Sequence, residues 1–153
     1  MCADRWLFCP AVSQSAVLRD ALAGVSLFSS CSKRDLQIIA RHMQVIAVPE
    51  GTVLMKVGEE GDAFYIALEG NATVERGGRI VAGVWQGGYV GELSLIDPAP
   101  RSATVVARTP MVLGVLDRRA FLAILRDVPA MSGKLLRGLA RRLRERDMRA
   151  TTE

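Results

Sequence analysis

The spacing of apolar residues changes twice along the chain and divides it into three parts. Up to about residue 42, apolar positions recur every three or four residues, a spacing that predicts helices. Gly24 ends the first helical run, and Ser32 with Asp35 three residues later predicts a capping box at the start of the next helix. The buried face of that helix is expected to carry Leu36, Ile39, Ala40 and Met43.

From residue 45 to residue 116 the apolar period shortens to two, and glycines separate the apolar stretches at short intervals. Many short strands with no helix between most of them indicate an antiparallel barrel or sandwich, and not a parallel sheet. The predicted strands are Gln44–Val48, Thr52–Lys56, Ala63–Glu69, Ala72–Arg76, Arg79–Trp85, Ser102–Ala107 and Met111–Leu116. Tight turns are predicted at Glu50–Gly51, Gly58–Gly61, Gly70–Asn71, Gly77–Gly78 and Gly87–Gly88.

After residue 116 the helical period returns. Asp117 can cap a helix over Arg118–Arg126, and Pro129 suits the first turn of a second helix that extends to about Arg149. The apolar stripe of this last helix consists of Leu135, Leu136, Leu139 and Leu143.

The composition is that of a globular protein, and 153 residues with a hydrophobic share of 50% are enough for one domain with its own core. We therefore expect an N-terminal helical extension over residues 1–24, a single domain over residues 25–149 and a disordered tail over residues 150–153.

The net charge of +4 is unevenly distributed. Ten basic and three acidic residues lie between Arg118 and Arg149, so the basic character belongs to the last helices. Three interpretations of this basic stripe stay open: the solvated face of a helix that caps a pocket or pairs with a second copy, a seam for a partner domain, or a nucleic-acid contact. Nucleic acid is the least favoured partner, because no recognition motif accompanies the charge.

Several classes of function find no support in the sequence. No apolar run approaches the roughly 18 residues of a membrane helix, so no membrane segment is expected. Cys2, Cys9 and Cys31 form no CxxC pair, which favours reduced thiols in a cytoplasmic protein. The single histidine, His42, is expected in the core or at the surface. We expect no metal site and no enzyme activity, because no nucleophile–base pair can be assembled.

One segment, Val90–Val105, interrupts the strand pattern. Its start predicts a short helix whose unpaired N–H groups attract an anion, and two prolines then stiffen the following loop. Arg101, nine residues after Glu92, can return across this loop, and its planar guanidinium matches phosphate oxygens. The residue types leave two interpretations open. The two residues are an ordinary surface ion pair, or they form a sugar-phosphate cradle in which the carboxylate accepts from a neutral hydroxyl.

This segment, extended to Ala107, resembles the phosphate-binding cassette of cyclic-nucleotide-binding domains, the group that includes the bacterial cAMP receptor protein, kinase regulatory subunits and gated channels. Val57–Gly70 resembles a second signature of the same family. The order of helices and strands is similar to the family's over about residues 25–148. The resemblance implies an α+β fold: an antiparallel, jelly-roll-like β-roll (a double-stranded β-helix) with N-terminal helices and two C-terminal helices.

The resemblance also implies roles for the cassette residues. Glu92 would accept from the ribose 2′-hydroxyl, and Arg101 would pair with the cyclic phosphate. Such domains bind their nucleotide and do not hydrolyse it. The ligand is expected to be cAMP, with cGMP left open. No further cofactor is implied. Ser102 favours cAMP, because a threonine after the phosphate-binding arginine favours guanine in some relatives. The backbone groups that complete the site are expected at Gly91, Leu93, Ser94, Ser102 and Ala103.

The chain also departs from the family pattern. Bacterial activators continue into a helix-turn-helix domain, whereas this chain ends at Glu153, and Arg146-Asp147 aligns where those activators place a Thr-Ser pair. We therefore expect a sensor module whose C-terminal helices pass nucleotide occupancy to an effector protein or a fused domain, and a homodimer through the last helix stays open. The alternatives are a protein-interaction module with an empty pocket and, less favoured, a DNA-binding regulator.

Overall fold

The structure is a computed structural model and describes residues 18–91, 95 and 100–152. Helices α1 (18–23), α2 (Lys33–His42), α3 (Arg118–Asp127) and α4 (Pro129–Thr152) surround the strands, and a 3-10 turn spans Ser26–Phe28. The strands are β1 (Gln44–Val48), β2 (Val53–Met55), β3 (Ala63–Glu69), β4 (Ala72–Arg76), β5 (Arg79–Val84), β6 (Tyr89–Val90), β7 (Thr104–Ala107) and β8 (Met111–Asp117).

The strands form two four-stranded sheets, ordered β1-β8-β3-β6 and β2-β7-β4-β5. Every paired strand is antiparallel to its neighbour. The predicted antiparallel roll is therefore confirmed, and each of the seven predicted strands is present within two residues of its predicted ends. The eighth strand, β6, was not predicted, because two residues are too few to show a period.

Strand β3 explains how the sequence produces two packed layers. Successive side chains of a strand point to opposite faces. Phe64, Ile66 and Leu68 join the core beneath the helices, whereas Tyr65 and Ala67 pack into the core between the sheets. Because both of its faces are covered, β3 reads as a continuous apolar run.

The larger core lies between the first sheet and the helices. The Phe64 ring lies 5.2 Å from the Phe121 ring of α3 and 5.6 Å from the Tyr89 ring of β6, measured between ring centroids. The helical side chains that complete this core include Leu22, Leu36, Ile39, Ile124, Met131 and Leu135.

The helix starts follow the local sequence. The Ser32 hydroxyl accepts from Asp35 N and the Asp35 carboxylate accepts from Ser32 N, each at 3.1 Å, so the predicted capping box is confirmed. The Asp117 carboxylate accepts from Ala120 N at 2.7 Å, as expected of a cap for α3. These bonds satisfy N–H groups that the first helical turn cannot pair.

The last helix differs from its prediction in two ways. Of the predicted leucine stripe, Leu135 is buried, whereas Leu136 and Leu143 are 67% and 63% exposed. The helix also continues to Thr152, so the expected tail is helical up to that residue. The physical reason is that neither glycine nor proline follows Gly138 to end the helix.

Lys134 connects α4 to the N-terminal part of the chain. Its Nζ donates to the Ser26 carbonyl at 2.9 Å and also to the Ser29 hydroxyl. This contact joins the first half of α4 to the 3-10 turn.

Cys31 is a free thiol beside this contact, and Cys2 and Cys9 lie outside the described residues. Burial raises the pKa of the Cys31 thiol, the Asp35 carboxylate raises it further, and the Lys134 ammonium opposes both. Because the thiolate is the reactive form, a raised pKa keeps this cysteine weakly nucleophilic at neutral pH.

We predict that Ile124→Ala lowers the free energy of unfolding by about 2–5 kcal/mol, because it leaves a cavity in the core. Leu122→Ala is the matched control, since Leu122 lies in the same helix and is 47% exposed while Ile124 is fully buried. Urea denaturation of both variants checks this, with the control expected within about 1 kcal/mol of the unsubstituted chain. Equal losses for the two variants would contradict the placement of α3.

Candidate functional site

Arg101 is the buried charged residue among those the structure describes, with 5% of its surface exposed. Its main chain is held against the Gly58–Gly61 turn: Arg101 N donates to the Glu59 carbonyl at 2.8 Å, and Gly58 N donates to the Arg101 carbonyl at 2.9 Å. These two backbone hydrogen bonds fix the position of the Arg101 Cα, from which the side chain extends.

The Arg101 side chain then reaches two other parts of the chain. Its Nη2 donates to the Ala63 carbonyl at 2.7 Å, at the start of β3. Its Nη1 donates to the Gly91 carbonyl at 3.2 Å, just after β6. One guanidinium therefore ties together three segments that are far apart in sequence, and these bonds fix the plane of its donors.

Two glycines make room for this guanidinium. A Cβ at Gly61 would overlap the Nε and Cζ atoms of Arg101. Gly91 has a φ of +97°, and a Cβ there would lie 2.7 Å from the Ala63 carbonyl and 3.0 Å from Arg101 Nη1. Side chains at either position are excluded by contact, and at Gly91 also by the backbone conformation.

Arg118 holds the other side of the same turn. Its backbone N donates to the Asp62 carbonyl at 3.0 Å, and its Nη2 reaches the Gly61 carbonyl at 3.4 Å. Since Arg118 is the first residue of α3, the turn at Gly61–Asp62 lies between the buried Arg101 and the helical layer. Sequence patterns did not reveal this role, because an arginine at a helix start is ordinary.

The structure places four of the seven predicted site residues. Gly91 and Arg101 meet directly, Ala103 is buried and Ser102 is exposed. Glu92, Leu93 and Ser94 lie outside the described residues, so the predicted approach of Glu92 to Arg101 stays a prediction. Within the predicted short helix only Leu95 is described, and it is helical and buried.

The last helix comes close to the tip of the Tyr89 side chain. A Cβ at Gly138 of α4 would lie 3.7 Å from the Tyr89 hydroxyl. Tyr89 begins β6, two residues before Gly91. The part of α4 beyond Gly138 therefore starts beside the strand that leads into the Arg101 site.

Metal-ligand clusters and helices able to span a membrane are both absent from the described part of the chain. No three side chains of His, Cys, Asp or Glu come together there as metal ligands would. His42 is exposed at the end of α2. No helix in that part of the chain is both long and apolar enough to cross a membrane.

Comparison with known proteins was made with both sequence and structure. The profile of the family described as "Cyclic nucleotide-binding domain" matches residues 45–128, which include the whole Arg101 site. The cAMP-dependent protein kinase regulatory subunit of Dictyostelium discoideum is 33% identical over 123 residues, which cover 77% of this chain and 38% of that relative.

Two solved structures show the same fold. The crystal structure of Thermus thermophilus Catabolite Activator Protein superposes with a TM-score of 0.77 at 32% identity, covering 82% of this chain and 61% of that chain. The structure of Sp-2Cl-cAMPS bound to PKAR CBD2 superposes with a TM-score of 0.76 at 26% identity, covering 90% of this chain and 94% of that chain. The chain thus matches one isolated domain almost fully and spans under two thirds of the Dictyostelium and Thermus proteins.

We predict that Gly61→Ala lowers the free energy of unfolding by about 1–3 kcal/mol, because the new methyl group displaces the buried Arg101 side chain. Gly24→Ala is the control, since a Cβ there meets only the Ala21 carbonyl, at 3.5 Å. In an Arg101→Ala background the cost of Gly61→Ala should fall toward that of the control, which urea denaturation measures as a coupling energy. Additive losses would show that the glycine is required for another reason.

Proposed function

This chain belongs to the cyclic nucleotide-binding domain family, and we propose that it binds a 3′,5′-cyclic nucleotide, cAMP in preference to cGMP, as a regulatory module without catalytic activity. Two of its relatives are regulators by name, a kinase regulatory subunit and a Catabolite Activator Protein. A third is named Acetyltransferase Pat, of which this chain covers 38%.

The fixed orientation of Arg101 is the observation that carries this proposal. Phosphate recognition needs a planar set of donors whose direction is set before the ligand arrives. The carbonyls of Ala63 and Gly91 and the close approach of Gly61 supply that direction. Because the side chain is already ordered, an arriving anion does not have to immobilise a flexible cation.

The remaining ligand contacts follow from the predicted cassette. Glu92 accepts from the ribose 2′-hydroxyl, which leaves the negative charge of the phosphate to Arg101. Backbone N–H groups around Gly91, Leu93, Ser94, Ser102 and Ala103 complete the phosphate site. The preference for cAMP is supported by Ser102 and by the names of the similar proteins, which include a cAMP-dependent regulatory subunit and a domain bound to Sp-2Cl-cAMPS.

The second half of α4 is the proposed route by which nucleotide occupancy is passed on. Met131 and Leu135 anchor the first half in the core, while Leu136 and Leu143 are exposed. The exposed leucine face can close over a bound base when the second half of α4 moves, and the ligand then favours the closed position through contacts made only there. The receiver is an effector protein or a fused domain.

We predict that titration calorimetry detects cAMP binding, with weaker binding of cGMP. Arg101→Ala should weaken cAMP binding by about 2–4 kcal/mol, because it removes a charge-assisted pair, and Glu92→Gln by about 1–2 kcal/mol, because an acceptor remains. Arg101→Lys should lie between the unsubstituted chain and Arg101→Ala, since it keeps the charge and loses the planar fork.

The control for this titration is Arg119→Ala, which removes an exposed arginine. Thermal denaturation of each variant without nucleotide establishes that it is folded. No response of the folded, unsubstituted chain to millimolar cAMP or cGMP would favour the alternative, an interaction module with an empty pocket.

We predict that a chain ending after Ala140 keeps its free energy of unfolding, because Met131 and Leu135 are retained, but binds cAMP about tenfold more weakly. That loss corresponds to leaving about one leucine side chain uncovered, about 1.5 kcal/mol. In the full chain, cAMP should slow hydrogen exchange over residues 136–147.

Leu143→Gln in the full chain tests the apolar contact without shortening the helix. Unchanged cAMP affinity in both variants, with unchanged exchange in α4, would exclude this helix as the lid. Dissociation of a dimer by the same two changes would instead assign the leucine face to a second copy.

A further inference from the structure

Among the residues that the structure describes, β5 forms the outer edge of the second sheet and pairs with β4 on one side only. Five of its six residues are exposed, and the sixth, Val84, is buried. An edge strand presents unpaired N–H and C=O groups that can hydrogen-bond to another extended segment. The edge of β5 is therefore chemically able to accept one more strand.

The side chains along this edge are apolar. Ile80, Val81 and Trp85 are 62%, 52% and 67% exposed. The Trp85 indole lies over Gly83, since a Cβ at Gly83 would lie 3.1 Å from the indole Cζ2. An exposed aromatic side chain of this kind resembles the anchors that dominate binding energy at protein interfaces.

The other end of the strand is basic. Arg76 and Arg79 lie directly opposite each other in the register of β4 and β5. Within the residues that the structure describes, neither arginine lies in an ion pair. The neighbouring carboxylate of Glu75 is already paired with Arg108. Like charges placed opposite each other destabilise a hairpin, so this pair has a cost that an acidic partner would remove.

These arginines do not protect the whole edge. Charged residues and a bulge are devices that prevent strand pairing. β5 begins with Arg79 and has a bulge at Val81, because Ile80 pairs with Glu75 and Ala82 pairs with Val74. From Ala82 to Val84, however, the pairing with β4 is regular, and the sequence up to Trp85 contains neither charge nor proline. The edge is thus basic and bulged at one end, and open and apolar from Ala82 to Trp85.

A groove continues from this apolar end. It runs beside Trp85 and is lined by Gly24, Ser26, Gly83, Gly87 and Tyr89. Because glycines have no side chains to fill the groove, an apolar side chain of a partner can enter it beside the indole.

We propose that β5 binds an extended segment of a partner protein, with acidic side chains opposite Arg76 and Arg79 and an apolar side chain in the groove beside Trp85. The added strand hydrogen-bonds to β5, and the two ends of the strip set its identity and direction. This interface is independent of the proposed nucleotide site.

The charges favour such a partner over a second copy of this chain. A second β5 brings another pair of arginines and no carboxylate with which to neutralise the first pair. In the parallel arrangement the four arginines meet, and in the antiparallel arrangement each pair lies against the apolar end of the other strand. An acidic segment is the occupant that compensates the charge directly.

The experiment uses the full chain and two fluorescent synthetic peptides of alternating polar and apolar residues. One peptide carries aspartate and glutamate in one half, and the other carries lysine at the same positions. By fluorescence anisotropy we expect the acidic peptide to bind and the lysine peptide not to bind. The charge-reversed variant Arg76→Glu/Arg79→Glu should lose about tenfold or more in affinity for the acidic peptide and gain binding of the lysine peptide.

Trp85→Ala should weaken binding of the acidic peptide without reversing the charge preference. Thermal denaturation of every variant shows whether it is folded, independently of the peptide result. Absence of acidic-peptide binding, or equal binding of both peptides, overturns the proposal. Slow hydrogen exchange along β5 in the dilute, peptide-free protein would also overturn the proposal, because it would mean that the chain itself covers the edge. A dimer that is lost in the charge-reversed variant would overturn it too.

Discussion

A buried guanidinium is stable only where the main chain supplies acceptors and leaves space for it, and this requirement organises the centre of the molecule. Arg101 receives its acceptors from Ala63 and Gly91 and its space from Gly61. Strand β3, strand β6 and the segment before β7 must therefore converge on one point. The convergence orients the donors of Arg101, and under the proposed function the same bonds prepare this cation to receive the phosphate.

The site is joined to the helices through very few contacts. Arg118 holds the far side of the Gly61–Asp62 turn, and Phe121, one helical turn later, packs on Phe64. Under the proposed function, a shift of this turn on nucleotide binding would move the start of α3 and, through the α3–α4 corner, Met131 and Leu135. The proposed site and the helices would be coupled because both contact this one turn.

The sequence predicted most of what depends on period and on local capping. Short apolar runs between turns identified β3 and β8, and the Ser32–Asp35 box marked the start of α2 to the residue. It did not predict the close approach of Gly61, because a glycine required by a distant side chain looks the same as a glycine required by a turn. The sequence also did not distinguish Leu136 from Leu135. Both are leucines of one apolar stripe, and only the packing of the helix on the core decides which of the two is buried. The role of Glu92 stays a prediction.

The contact between Gly61 and Arg101 is asymmetric, and this bears on how such a chain can change over generations. The arginine cannot occupy its position if residue 61 has a side chain, whereas glycine at 61 tolerates any loss of the arginine. A descendant that loses Arg101 is released from the requirement at 61 and is free to accumulate a larger residue there. Once it has done so, restoring the arginine alone no longer restores the site. Under the proposed function, loss of nucleotide recognition through Arg101 therefore becomes hard to reverse.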